Sequence, residues 1–351
     1  MLLWEPSFGA TGLLAALHVS LALALHWRIG VPGVVLWYVG PSLLAALAAL
    51  VLLLVLISAI RRRQTWSHRR VIALTALSVL AVAPAFYRVY PSSHDKHPST
   101  VRFVLPLDGP ITVAWGGEAE DVNAHVYAPD QRWGYDLIVT QNGRSSRGSR
   151  QRLANFFIYG QTVLAPAGGI VVAAHNAEPD VPIGEKGKGD DLGNHVALEV
   201  APAQFLFIAH MQPGSIAVRT GDRVAPGQPL GRVGNSGFSS EPHVHVHLQD
   251  SARRHLSEGI PFFFSDYCAG SEFVRQGMPS GGRENRQWVG DVISSGGCGE
   301  SHIASWIDGG GSARFERRRR RERAEDIPPL VAHFVRRFAE LQGKKVKSLT
   351  R

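Results

Sequence analysis

Between Leu43 and Ile60 the chain runs LLAALAALVLLLVLISAI without a single charge, and the apolar stretch reaches back through Val34–Val39. In a helix such a segment matches a hydrocarbon layer of about 30 Å, so this chain must fold with a membrane anchor attached. Two more apolar stretches flank it: Leu13–Trp27, with His18 inside, and Val71–Tyr87, with Pro84 near its end. A cleaved secretory signal wants a basic leader, and the only charge before Arg28 is Glu5, so the first stretch reads as a retained span. His18 reads as a contact with a neighbouring helix rather than a proton relay, although polar groups in membranes are costly.

Arg61–Arg70 holds five arginines in ten residues, which marks that loop as cytoplasmic. Everything after about Tyr90 is then expected outside the cytoplasmic (inner) membrane, in an extracytoplasmic or periplasmic location. The formal charge of +8 is equally uneven: residues 313–351 carry 13 Lys/Arg against 5 Asp/Glu, and the other residues balance, 24 against 24. A nucleic-acid-binding face on the main body is therefore not expected. The tail holds Arg317–Arg321 and, after Pro328-Pro329, an apolar stripe from Leu330 to Leu341 at helical spacing. It reads as a basic linker with one short docking helix, or as an arm held against anionic lipid or wall polymer.

After a polar linker, 91–100, the texture becomes short apolar runs cut by Gly, Pro and Asn-Gly, among them VRFVLPL, GPITVAW, FFIYG, GGIVVAAH, FLFIAH and HVHVHL. Period-two runs between turn signals predict antiparallel β structure over 101–295, an all-β sandwich or open barrel. Further strands are expected near Gly259–Tyr267 and Gln287–Ile293. The expected organisation is an anchor of two to three transmembrane helices (1–90), the linker (91–100), the β domain (101–295) and a Gly/Arg-rich tail (296–351). Cys268 and Cys298 exclude a Cys-rich metal site; they form either one disulfide or two free thiols. A metal, if bound, must use His and carboxylates.

His243, His245 and His247 stand at i, i+2 and i+4, so on a strand all three project from one face while Val244 and Val246 face the other. Three imidazoles on one face are hard to satisfy as buried structural groups, and neutral imidazole is a common zinc ligand.

These residues sit in a longer pattern. The run ending at His210, Gly221-Asp222-x-Val224, Gly227-Gln228-x-Leu230-Gly231, Gly234-Asn235-Ser236-Gly237 and Ser239-Ser240-Glu241-Pro242-His243-Val244-His245 together resemble the signature of the lysostaphin-type zinc endopeptidases. Leu164–Val171 and Leu192–Val196 match further elements, so the resemblance covers about 105–250. It implies a duplicated-hybrid-motif-like β fold, Zn2+ as cofactor and peptidoglycan peptide cross-links as substrate. It also implies His245 as a metal ligand, with His210 and His243 as catalytic residues facing the reacting carbonyl. His195 is expected to be an ordinary strand residue.

The remaining ligands of the family come from a His-x-x-x-Asp motif. Asp136 matches the carboxylate, but Arg132 stands where the histidine belongs. Reading His125–Asp136 as strand, Pro-Asp turn and strand places His125 across from Asp136, where it can replace the missing ligand. The expected metal set is thus His125, Asp136 and His245, with a fourth position left for water and Arg132, near the turn, free to meet a substrate carboxylate or to be a plain solvated charge. His247 is an alternate ligand, a partner behind the ligands, or a continuation of a wet face. The leading function is a membrane-anchored zinc metallopeptidase acting on peptidoglycan, with the lipid bilayer as its other partner. The alternatives are a catalytically inactive module of the same fold that binds wall polymer or activates another hydrolase, and a sensor or scaffold.

Overall fold

The structure, a computed structural model, describes residues 6–61, 67–83, 89–185, 187–284, 287–296 and 298. The Arg-rich tail and its expected amphipathic helix lie outside the described residues, as does the end of the third expected span.

Three helices build the N-terminal part: α1 (Pro6–His26), α2 (Val31–Arg61) and α3 (His68–Val82). Two of them, over Gly9–His26 and Val31–Arg61, are long and apolar enough to cross a membrane; in α3 the apolar stretch Val71–Val82 is shorter. The 31 residues of α2 span about 46 Å at 1.5 Å per residue, more than a hydrocarbon layer. Leu14, Ala48 and Leu77 meet between the three helices, and Leu21, Leu25 and Leu44 between α1 and α2. Gly40 permits this approach, since a Cβ there would lie 2.8 Å from Leu21 Cδ1. Other large apolar side chains, Leu13, Val19, Leu53 and Ile60 among them, point outward and exposed, an arrangement suited to lipid rather than water. His18 is buried, with Nδ1 2.8 Å from Leu14 O and Nε2 3.0 Å from Leu80 O, so it ties α1 to α3.

The rest is the expected antiparallel β domain. Its strands are β1 (Ile111–Trp115), β2 (Tyr135–Ile138), β3 (Thr162–Leu164), β4 (Gly169–His175), β5 (Asn194–Ala201), β6 (Gln204–Met211) and β7 (Arg223–Val224). They continue with β8 (Pro229–Arg232), β9 (Val244–Gln249), β10 (Phe264–Ala269), β11 (Glu272–Gly277), β12 (Arg283–Glu284), β13 (Gln287–Trp288) and β14 (Val292–Ser294). Ten form one sheet in the order β11-β10-β14-β1-β2-β9-β6-β5-β4-β7; β3 pairs with β8, and β12 with β13. One face of the large sheet, through Val113, Leu137, Val196, Ile208, Val244 and Val246, shares a core with Val163 and Leu230 of the β3–β8 pair. Val101–Leu107 and Phe156–Gly160 fill this core with Phe103, Leu105 and Ile158 without forming strands. Cys268 and Cys298 are bonded as a disulfide, which fastens the segment after β14 to β10.

The linker is fastened to the far end of β9. His94 Nε2 lies 3.2 Å from Asp250 Oδ2, and the fully buried Glu258 accepts hydrogen bonds from Tyr90 Oη, Ser93 N and Ser93 Oγ. Tyr90 also packs edge-on against Trp37 of α2, whose Nε1 donates to Tyr127 O at 3.1 Å.

Candidate metal centre

Alternation along β9 delivers what the sequence predicts: Val244, Val246 and Leu248 enter the core, and His245 and His247 line the opposite face. Asp136 joins that face by direct pairing, because β2 lies beside β9 with Asp136 opposite His245. Its carboxylate Oδ1 lies 2.9 Å from His245 Nδ1, 3.3 Å from His125 Nε2 and 3.4 Å from His243 Nε2.

His125 arrives by a route other than the expected hairpin. Both edges of β2 are occupied, by β1 and β9, so no edge is left for a strand carrying His125. The residue sits instead in a 3-10 turn, Ala124–Tyr127, in which the His125 amide donates to the Asn123 side chain. Asn123 Nδ2 donates to Gly117 O and Gly134 O, which leaves its Oδ1 to accept from His125 Nδ1 at 2.9 Å. Nε2 of His125 is therefore the bare nitrogen, turned to Asp136. Gly134 makes room, since a Cβ there would lie 3.3 Å from the His245 ring and 3.4 Å from that of His125.

His210 arrives by a bulge. Between the pairs Asn194–Met211 and Val196–Ile208, β6 has one residue more than β5, and His210 takes φ +63°, a left-handed conformation unusual for a side-chain-bearing residue. Strict alternation after Ile208 would send His210 into the core; the extra residue re-aims it onto the His243 ring, 4.6 Å between centroids. Its Nδ1 donates to Ser236 O (2.8 Å), and His243 Nδ1 to Glu241 O (2.7 Å). Carbonyls only accept, so in the neutral rings Nε2 of both is bare. Glu241 is itself gripped by Arg150, Ser145 and Trp288 Nε1. Asn123 and Glu241 were not singled out from sequence, although an Asn two residues before a histidine is an Asx-turn signal.

Electrostatics separates these rings. Burial works against ionisation of Asp136, but the His125 and His243 rings outweigh it and hold its carboxyl well below the usual range. Burial, reinforced by His243 and His245, pushes His210 well down. Burial also opposes protonation of His243, yet the Asp136 carboxylate prevails and shifts it up. The two neighbouring rings are thus shifted in opposite directions.

Two overlapping sets, His125/Asp136/His245 and His210/His243/His245, have ligand atoms within 4.8 Å of one another. In a tetrahedral site with bonds of about 2.0–2.1 Å, ligand atoms stand roughly 3.3 Å apart, and the first set, with its carboxylate and bare nitrogens, fits such an ion.

Arg132 does not act as expected. It is neither free nor solvated: it is buried, stacks 4.1 Å over Trp133, donates to Tyr90 O and Glu118 O, and is brought down to about 10 by burial. His195, buried with Nδ1 on Gly193 O, stays a strand residue apart from both sets.

Residues 154–256 match the model of peptidase family M23; the match includes His210, His243 and His245 and begins after His125 and Asp136. The chain matches no curated protein. Among solved structures it is similar to the catalytic domain, in a point-mutant form, of the prophage-encoded M23 protein EnpA from Enterococcus faecalis, at 22% identity over 45% of this chain and 94% of that one, TM-score 0.27. A putative peptidase M23 from Pseudomonas aeruginosa is 18% identical over 47% of this chain, TM-score 0.27, and the chain spans about half (49%) of its length. The catalytic domain of the antimicrobial peptidase lysostaphin from Staphylococcus simulans is 18% identical over 42% of this chain and 86% of that one, TM-score 0.26. Over residues 154–256 the chain thus matches peptidase family M23, in keeping with the motif order read from sequence.

Proposed function

We propose that this protein is a membrane-anchored zinc metalloendopeptidase that hydrolyses peptide cross-links of peptidoglycan outside the cytoplasmic membrane. The observation that carries the reading is the convergence of the His125, Asp136 and His245 donor atoms beside the His210–His243 pair. Zinc bound there supplies a Lewis acid and a more acidic water. The protein's own residues do the rest. His210, fixed through Nδ1 on Ser236 O, holds a bare nitrogen ready to take a proton; His243, fixed through Nδ1 on Glu241 O, turns its Nε2 to the site, where once protonated it can donate a hydrogen bond to the oxygen on which charge develops.

The anchor's geometry supports the topology. The β domain touches the helices at the start of α2, where Trp37 meets Tyr90 and Tyr127 and Arg28 pairs with Asp95, whereas the basic loop follows Arg61 at the other end. A domain outside and an arginine loop inside satisfy both facts. The test uses the full chain in detergent. Elemental analysis should find close to one zinc per chain, and the protein should release peptide fragments from purified peptidoglycan until a chelator is added. A zinc-loaded protein that leaves peptidoglycan intact would replace this reading with the inactive module.

A further inference from the structure

Like His195, the β9 histidine His247 is buried and has no part in either donor set. His247 is 1% exposed, and its ring lies parallel to Phe207 at 5.1 Å. Its Nδ1 is 2.8 Å from His245 Nε2, its Nε2 is 3.1 Å from Gln249 Oε1, and Gln249 Nε2 is 2.6 Å from Ser251 O. The polarity of this line is fixed from its far end. A backbone carbonyl only accepts, so Gln249 turns its amide nitrogen to Ser251 and its oxygen to His247. That oxygen also only accepts, so His247 carries its proton on Nε2 and leaves Nδ1 bare. His245 must then donate from Nε2, and its own Nδ1 faces Asp136 without a proton.

We propose that His247 and Gln249 are positioning residues that lock His245 in the tautomer whose Nδ1 lone pair is offered to the metal. This rests on the metal-centre reading above and deepens it. Without the lock, His245 is free to carry its proton on Nδ1 and donate it to Asp136 Oδ1, 2.9 Å away. That bond satisfies the carboxylate internally and competes with an ion for both ligands at once. Outer partners of a ligating histidine fix its tautomer and orientation, and losing one typically costs roughly 10–100-fold in metal affinity.

The test is the zinc dissociation constant of the full chain in detergent, read by competition with a chromophoric chelator, with the melting temperature of each metal-free variant measured alongside. His247→Leu keeps the bulk and removes the acceptor; it should bind zinc roughly 10–100-fold more weakly. His247→Asn returns an oxygen near the Nδ1 position and should restore most of the affinity. Gln249→Met leaves the histidine pair in place and removes only the group that orients it; weaker zinc binding with an unchanged melting temperature supports the lock even if His247→Leu fails to fold. Zinc binding by a folded His247→Leu as tight as wild type overturns the proposal. So does a His247→Asn variant as weak as His247→Leu, since packing alone would then explain the loss. A wild-type chain that holds no zinc overturns the metal-centre reading itself, an outcome distinct from equal affinity in wild type and variant.

Discussion

Along β9, His245 and His247 reach the site through the plain alternation of an extended chain, with His243 just ahead of the strand, whereas His210 on neighbouring β6 reaches it only because an extra residue interrupts that alternation. His125 departs further still, coming from a 3-10 turn pinned by Asn123. The regular strand is held by ladder hydrogen bonds on both sides, with β2 and β6 as neighbours, and needs no unusual backbone. The turn at His125 is held by the Asn123 side chain, and the bulge at His210 by backbone hydrogen bonds to Leu192 and Gly234 around a left-handed φ. The candidate site therefore has a regular half supplied by plain strand alternation and an irregular half supplied by a turn and a bulge, and the left-handed φ falls in the irregular half.

The sharpest way to break this picture is to remove one ligand from each half. His245→Ala and His125→Ala should both empty the site of zinc and abolish hydrolysis, because two ligands hold the ion weakly. Full zinc in His125→Ala, read by elemental analysis, would leave His125 with no metal role and point to the His210/His243/His245 set.

A finer test addresses the bulge. His210→Ala should keep zinc and lose turnover by roughly a hundredfold or more, as expected when a proton-transfer group is removed. His210→Gly should be equally inactive but more stable than His210→Ala by roughly 1 kcal/mol, since glycine adopts φ +63° without strain. Thermal or urea unfolding compares the two. Equal stability would mean that the backbone at 210 is not what aims the ring.

The smallest expected effect separates ladder from clasp. The hydrogen bond to Asp250 raises His94 above its ordinary 6.5, against the opposing effect of burial. Protonated His94 binds its partner more tightly in the folded state, so the stabilisation is complete below about 6.5 and disappears as pH rises through the elevated value. Melting temperature should therefore fall modestly over that window in the wild type, and less in His94→Gln. An unchanged slope in the variant would remove the clasp from the account.

By itself the sequence determined the apolar helices, the antiparallel domain and the face shared by the β9 histidines, because composition and a two-residue period are local properties that tertiary packing did not override. It also placed His210 and Asp136 near the site through motif order. Only the tertiary structure decided how they arrive. Pairing of β2 on both edges excludes the hairpin expected for His125 and leaves it in a turn; a one-residue register shift between β5 and β6 turns His210; and Arg132, expected to be free near the turn, is buried over Trp133 and bonded to Tyr90 O by contacts with residues distant in sequence as well as adjacent. The pairing of Cys268 with Cys298 and the hydrogen-bond polarity from Ser251 to His245 belong to the same class. Each depends on which backbone group lies opposite which side chain, and that is settled when strands choose their neighbours, not by the residues on either side.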